Sequence, residues 1–170
     1  MASTEKTDAI TLLREDHRKV EDLFKQFEKA SGDGRKQRIA EQICLELSIH
    51  SMIEEELFYP ACAGKVDEDL LKESVVEYDS AKLLIAEIMA GGPDDEFYDS
   101  KVKVLQEQIE HHVKEEERQS GNIFSQARKT DVDLEALGEQ MAARKAELME
   151  LAETGGLPPA QPATLQHEGA

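Results

Sequence analysis

The chain has 170 residues, 39% of them hydrophobic and 34% charged, with a net charge of -17. That length gives room for one domain with a packed core, and the charge excludes the basic footprint that nucleic acid or an anionic membrane requires. Aromatic residues at 5% and the absence of Trp argue against a β-sandwich.

The first helix is expected from Thr7–Asp8 to just before the Ser31–Gly34 turn. Its apolar positions are Ile10, Leu13, Val20, Phe24 and Phe27, and their spacing alternates three and four only if His17 joins the series. A second helix is predicted from Arg35 to Ala61, with Ile39, Ile43, Leu47, His50, Glu54 and Leu57 inward, and with Pro60 and Gly64 as stop signals. The third, Asp67 to Ala90, places Leu71, Val75, Tyr78, Ile85 and Met89 inward and ends at Gly91-Gly92-Pro93. The fourth starts near Asp94–Asp95 and presents Val102, Leu105, Ile109, His112 and Glu116; Gln119–Asn122 should break it before Ile123 and Phe124.

Short connections between helices of this length give an all-α, up-down-up-down antiparallel four-helix bundle over residues 1–130. An additional amphipathic helix is expected within 131–153, carrying Leu137, Met141, Leu148 and Leu151. It would cap the bundle, pack across it, or mediate association with a second copy or a protein partner. Residues 154–170, opening on Gly155-Gly156-Leu157-Pro158-Pro159, are expected to be a disordered tail.

No apolar run approaches the ~20 residues of a membrane span, and the first six residues hold no apolar signal region. A cytoplasmic protein is therefore expected. Cys44 and Cys62 cannot pair with each other if both lie on one helix, because 18 residues at ~1.5 Å each hold them apart. Both read as small apolar residues in a reducing compartment.

His50 and Glu54, and again His112 and Glu116, form H-x-x-x-E pairs. Residues four apart on a helix share a face, so each imidazole and carboxylate point together into the bundle interior. Burying carboxylates costs several kcal/mol each unless a positive charge compensates. Lys82 is the only nearby cation in these seams, whereas a pair of metal ions offsets that cost directly. Imidazole with carboxylate suits iron or manganese, with zinc also accommodated. Glu21 stands outside its seam, Glu55, Glu56, Glu115 and Glu117 read as solvated or supporting groups, and His111, turned by ~100° from His112, should face solvent or a neighbouring helix.

The segments Asp16–Val20, His50–Pro60 and Glu110–Arg118 resemble the hemerythrin-like, or HHE cation-binding, family over roughly the first 130 residues. The resemblance implies a four-helix bundle around a non-haem di-iron centre, oxo- or hydroxo-bridged. His17, His50 and His112 would be terminal ligands, with Glu54 and Glu116 bridging the irons. The third helix of such proteins usually supplies a histidine in a stretch like Glu-His-Asp-x-Ala-Lys; this chain reads Glu77-Tyr78-Asp79-Ser80-Ala81-Lys82. Tyr78 thus takes the ligand's place, as a phenolate on one iron or as a hydrogen-bond donor to Glu54 or Glu116, and reversible O₂ carriage is disfavoured. The resemblance implies a small ligand, O₂, NO or H₂O₂. It is met either by an enzyme that turns over peroxide or scavenges NO, or by an iron-handling or sensing module without turnover.

Overall fold

The computed structural model describes residues 7–165, and those residues form helices and turns with no strand. Helix α1 (Ala9–Lys29) starts at Asp8, whose carboxylate accepts the Thr11 N–H at 2.8 Å. Its buried face includes Ile10, Leu13, His17, Val20, Phe24 and Phe27, as the spacing predicts. A turn at Gly32, whose φ of 88° lies in the left-handed region open to glycine, leads into α2 (Asp33–Ile53). A π-helical turn, Glu54–Phe58, carries α2 into the short α3 (Tyr59–Cys62). Helix α4 (Glu68–Gly91) is capped by the Asp67 carboxylate, which accepts the N–H groups of Asp69 and Leu70. Helix α5 (Tyr98–Val113) runs into a second π-helical turn, Lys114–Arg118. The expected break follows, and the chain resumes as α6 (Ile123–Arg128) and α7 (Leu134–Glu153).

Helices α1 and α4 each pack against both α2 and α5, which closes the four-helix bundle. Two apolar clusters fill it, one containing Leu13, Ile53, Phe58 and Phe124, the other Val20, Leu47, Ile85 and Leu105. Along α1 the order is Leu13, His17, Val20, and along α2 it is Leu47, His50, Ile53. The inward polar residues therefore form a layer between two dry ends of one bundle. Such a layer is costly unless its groups are neutralised by one another or by a bound cation.

Three inward assignments change. Met89 is 53% exposed, and Ile88, one position earlier, is buried instead. Leu151 is 38% exposed, leaving Leu137, Met141 and Leu148 as the buried side of α7. Leu57 is only partly buried, because the π turn re-aims the chain after Glu54. Of the three arrangements open to the last helix, the structure shows packing across α1 and α2. Gly138 makes that contact: a Cβ there would stand 2.6 Å from the Thr7 carbonyl oxygen and 2.7 Å from the Ala9 nitrogen.

The expected disorder from residue 154 does not describe residues 154–165. They have no regular helix but are tied to the bundle. The buried Asp79 carboxylate accepts the backbone N–H groups of Ala163, Thr164 and Leu165 at 2.7, 2.6 and 3.0 Å, and the Thr164 hydroxyl at 2.5 Å. Burial by itself would raise the Asp79 carboxyl, but these four donors hold it down at about 2. Lys82 adds a hydrogen bond to the Gln161 carbonyl and two to Glu55. The last five residues of the tail lie outside the described residues. Cys44 and Cys62 are both free and buried.

Candidate metal centre

Each bundle helix delivers one polar side chain to the central layer: His17 from α1, His50 from α2, Tyr78 from α4 and His112 from α5. Glu54 and Glu116, both fully buried, come from the two π-helical turns. His17, His50, Glu54 and Glu116 each offer a ligand atom, all within 4.8 Å of one another, so together they can hold a metal ion. His112 closes the layer from the other side, pairing through Nε2 with Glu116 and lying 3.8 Å from Glu54 Oε2.

The carboxylates are shared rather than assigned one to each imidazole. Glu54 turns Oε1 to His50 Nε2 at 3.0 Å and Oε2 toward His112. Glu116 Oε1 faces both His112 and, at 3.9 Å, His17 Nε2. Within this layer His17 Nε2, His50 Nε2, Glu54 Oε1, both Glu116 oxygens and the Tyr78 hydroxyl are buried without a hydrogen-bond partner. Buried polar atoms are paired in the great majority of folded proteins. Five buried N and O donors converging with their bonds unmade fit a bound cation far better than an apolar core.

Each histidine is backed by a second carboxylate on its other nitrogen. Asp16 Oδ2 lies 2.9 Å from His50 Nδ1, Glu117 Oε1 lies 3.5 Å from His17 Nδ1, and Glu77 Oε1 lies 3.6 Å from His112 Nδ1. Carboxylates in that position fix which imidazole nitrogen carries the proton and aim the other at a metal. Glu117 is held in turn by Arg14 at 3.3 Å and by Arg18. Asp16 is held by Lys145 of α7 at 2.5 Å.

The charges follow from this arrangement. Burial alone would lower the His50 imidazole, but Glu54 and Asp16 push it up to about 10. His17 is dominated by burial, which takes it down to about 4 against the pull of Glu116. Burial opposes ionisation of Glu54, yet His50 and His112 hold it well below the ordinary carboxylate range. Glu116 is raised by burial and by the negative charge of Glu54.

The structure thus brings together all six residues singled out by the sequence, namely His17, His50, Glu54, Tyr78, His112 and Glu116. Tyr78 lies against His112, with ring centroids 4.2 Å apart, and its hydroxyl has no hydrogen-bond partner. The expected tyrosine donor to Glu54 is Tyr59 instead: its hydroxyl donates to Glu54 Oε2 at 2.6 Å and stands 3.4 Å from His112 Nε2. Sequence reasoning missed Tyr59 because a regular helix would stack Phe58, four residues on, over Glu54. The π turn adds one residue and brings the fifth there. Phe124 of α6 also went unassigned; its ring stacks on His17 at 5.8 Å and 8° between planes, and closes the layer at that end. Glu21 pairs with Arg18 and Arg118 away from the layer, and Glu55 with Lys82.

A crystal structure of a hemerythrin HHE cation-binding domain-containing protein, the Rv2633c homologue from Mycobacterium kansasii, superposes with a TM-score of 0.70. It covers 88% of this chain and 94% of that one at 24% identity, a likeness of fold. The uncharacterized protein Rv2633c of Mycobacterium tuberculosis is 30% identical over 141 residues, 81% of this chain and 84% of that protein. A DNA nickase of Nostoc sp. is 29% identical over 106 residues; the match takes in 62% of this chain but only 30% of that protein. The family model for the hemerythrin HHE cation-binding domain matches residues 8–120, the span that supplies every helix of the bundle and every residue of the central layer, and the chain belongs to that family.

Proposed function

We propose that the central layer holds two iron ions and that the protein meets a small diatomic or peroxide ligand there. The observation that carries this reading is the sharing of each carboxylate between two histidines. Glu54 lies between His50 and His112, and Glu116 between His112 and His17. That is the arrangement expected of two carboxylates set between a pair of cations rather than around a single one. Three imidazoles, two carboxylates and a phenol suit iron or manganese. Paired metals in such sites stand ~3.5–4 Å apart.

Bound iron would supply the redox chemistry; the chain's own residues set its terms. Asp16, Glu77 and Glu117 orient the three imidazoles. Tyr59 holds the Glu54 oxygen that faces His112, and Phe58 and Phe124 help keep the layer dry. Tyr78 offers a phenol where relatives of this fold carry a histidine. A phenolate ligand stabilises the ferric state, which favours peroxide chemistry over reversible O₂ carriage. Burial and the nearby Glu54 push this phenol well above its ordinary range, so its ionisation requires the metal charge. A net charge of -17 offers no surface for DNA, and DNA forms no part of this reading.

A second reading, sensing without turnover, draws on the Lys145–Asp16 contact, which puts α7 one residue away from His50. Metal analysis paired with steady-state consumption of H₂O₂ and NO by the iron-loaded protein separates the two. Two irons per chain with sustained consumption support the enzyme, and two irons with binding alone support the sensor. One iron per chain would overturn the paired centre. Glu54→Ala and His112→Ala should lose iron, while Glu55→Ala should keep it. Equal retention in all three would show that the layer is not the site.

A further inference from the structure

A second ligand cluster stands on the outer face between α4 and α5. Glu73, His111 and Glu115 each present a ligand-type atom, all within 4.8 Å of one another. His111 Nε2 lies 3.2 Å from Glu115 Oε1, one turn further along the helix, and 3.6 Å from Glu77 Oε2. Glu73 and Glu77 are themselves four apart on α4, so three carboxylates from two elements converge on one imidazole.

The bland account of such a group is a solvated acidic face, and two observations go against it. Glu115 is only 8% exposed, and its Oε2 is buried with no hydrogen-bond partner. Glu77 Oε1 is also buried without one. Among the described residues, the nitrogens that come within ion-pair distance of Glu77 and Glu115 are those of His111 and His112, with no lysine or arginine joining them. A nearly buried carboxylate with an unmade bond, beside an exposed imidazole, has the form of a ligand set around a missing positive charge. Access is open, because a cavity of about 380 Å³ along the α4–α5 seam is lined by Glu77, Ser80, Gln108 and His111.

We propose that Glu73, His111 and Glu115 bind one divalent first-row transition-metal ion outside the bundle, with Glu77 set between that ion and His112. A single imidazole among carboxylates suits Zn(II), Fe(II) or Mn(II), whereas calcium and magnesium sites are built from oxygen alone. Glu77 gives the outer site its connection inward. Its Oε2 faces His111, while its Oε1 lies 3.6 Å from His112 Nδ1. An ion bound outside stands one carboxylate away from an imidazole of the central layer, the position of a port through which that layer is filled. The port role rests on the reading of the layer as an iron centre; binding at the outer site does not.

The test is a calorimetric titration of the iron-loaded protein with Zn(II), its iron followed separately by absorbance. Wild type should take up one zinc per chain with the iron retained. His111→Ala and Glu73→Gln, at exposed positions that leave the fold intact, should weaken that uptake at least ~10-fold with unchanged iron content. No zinc beyond the iron, or equal affinity in both variants, overturns the site. Both variants should also slow Fe(II) uptake by the metal-free protein while reaching the same final iron; equal rates overturn the port. A chain that takes no iron yet binds a zinc lost in His111→Ala would overturn the reading of the central layer and support the outer site.

Discussion

Lys145 Nζ and Asp16 Oδ1 lie 2.5 Å apart, and the other oxygen of Asp16 lies 2.9 Å from His50 Nδ1. The last helix thus sets the carboxylate that sets the imidazole. Asp16→Asn should lower iron affinity ~10–100-fold, the usual effect of removing a carboxylate behind a ligating histidine. Lys145→Ala should have a smaller effect in the same direction, because its side chain is 27% exposed and partly screened. Competition with a calibrated chelator measures both. An unchanged affinity in Asp16→Asn would show that His50 is held by packing alone.

Stability of the metal-free protein should pass through a maximum near neutral pH. His50 is raised in the fold to about 10, so its contribution is complete below its unfolded value near 6.5 and fades as pH climbs to about 10. His17 is depressed to about 4 because it is buried neutral, so its contribution is complete above 6.5 and is lost as pH falls to about 4. Metal replaces the His50 proton, so the gap in melting temperature between loaded and metal-free protein should widen from pH 6.5 upward. Thermal melts from pH 4 to 10 test the sign. A gap that narrows with rising pH would contradict it.

Two tyrosines flank the central layer, and their roles separate optically. Tyr78, with its hydroxyl unpartnered, is the proposed phenolate ligand, and Tyr59, already bonded to Glu54, is the positioning residue. The oxidised, iron-loaded protein should show a phenolate–Fe(III) charge-transfer band in the visible. The band should vanish in Tyr78→Phe with both irons retained, and should persist, shifted, in Tyr59→Phe. The reverse outcome would exchange the two roles, and no band in wild type would remove phenolate ligation altogether.

The Asp79 clamp predicts where the C-terminal segment is held. In wild type the amides of Ala163, Thr164 and Leu165 should exchange slowly with deuterium, because all three donate to one buried carboxylate. Asp79→Ala should make them exchange freely while the amides of α4 stay protected. Thr164→Ala should give an intermediate result, since it removes one of the four donors. Fast exchange in wild type would show that the clamp does not persist in solution.

The bundle was legible in the sequence because burial writes itself as spacing. Ile10, Leu13, Val20, Phe24 and Phe27 admit one phase, and His17 falls into it. The six residues of the layer were legible for the same reason, as inward polar positions at helical intervals. Tyr59 was not, because a π turn changes the interval locally and leaves no mark in composition. Asp16 was hidden differently: it adjoins His17 in the chain but serves His50, thirty-four residues on, across a helix–helix contact. Asp79 and the tail were hidden by an apparent contradiction. Pro and Gly suggested disorder, yet the backbone N–H groups of residues 163–165 found a buried acceptor eighty-odd residues earlier.

The two π-helical turns also fix how this sequence can change length. Each holds one more residue than an α-helix would between the glutamate and the residue above it. Deleting one position within residues 55–58 would let α2 run on as a regular helix, but would rotate everything after it by ~100° and put Phe58's successor elsewhere than over Glu54. An insertion would do the same in the opposite sense. The turn around Gly64, where φ is 76° and a Cβ would meet nothing within 4 Å, carries no such restriction. Insertions and deletions should therefore accumulate in the turns between helices, while the count of residues from His50 to Tyr59, and from His112 to Gln119, stays fixed.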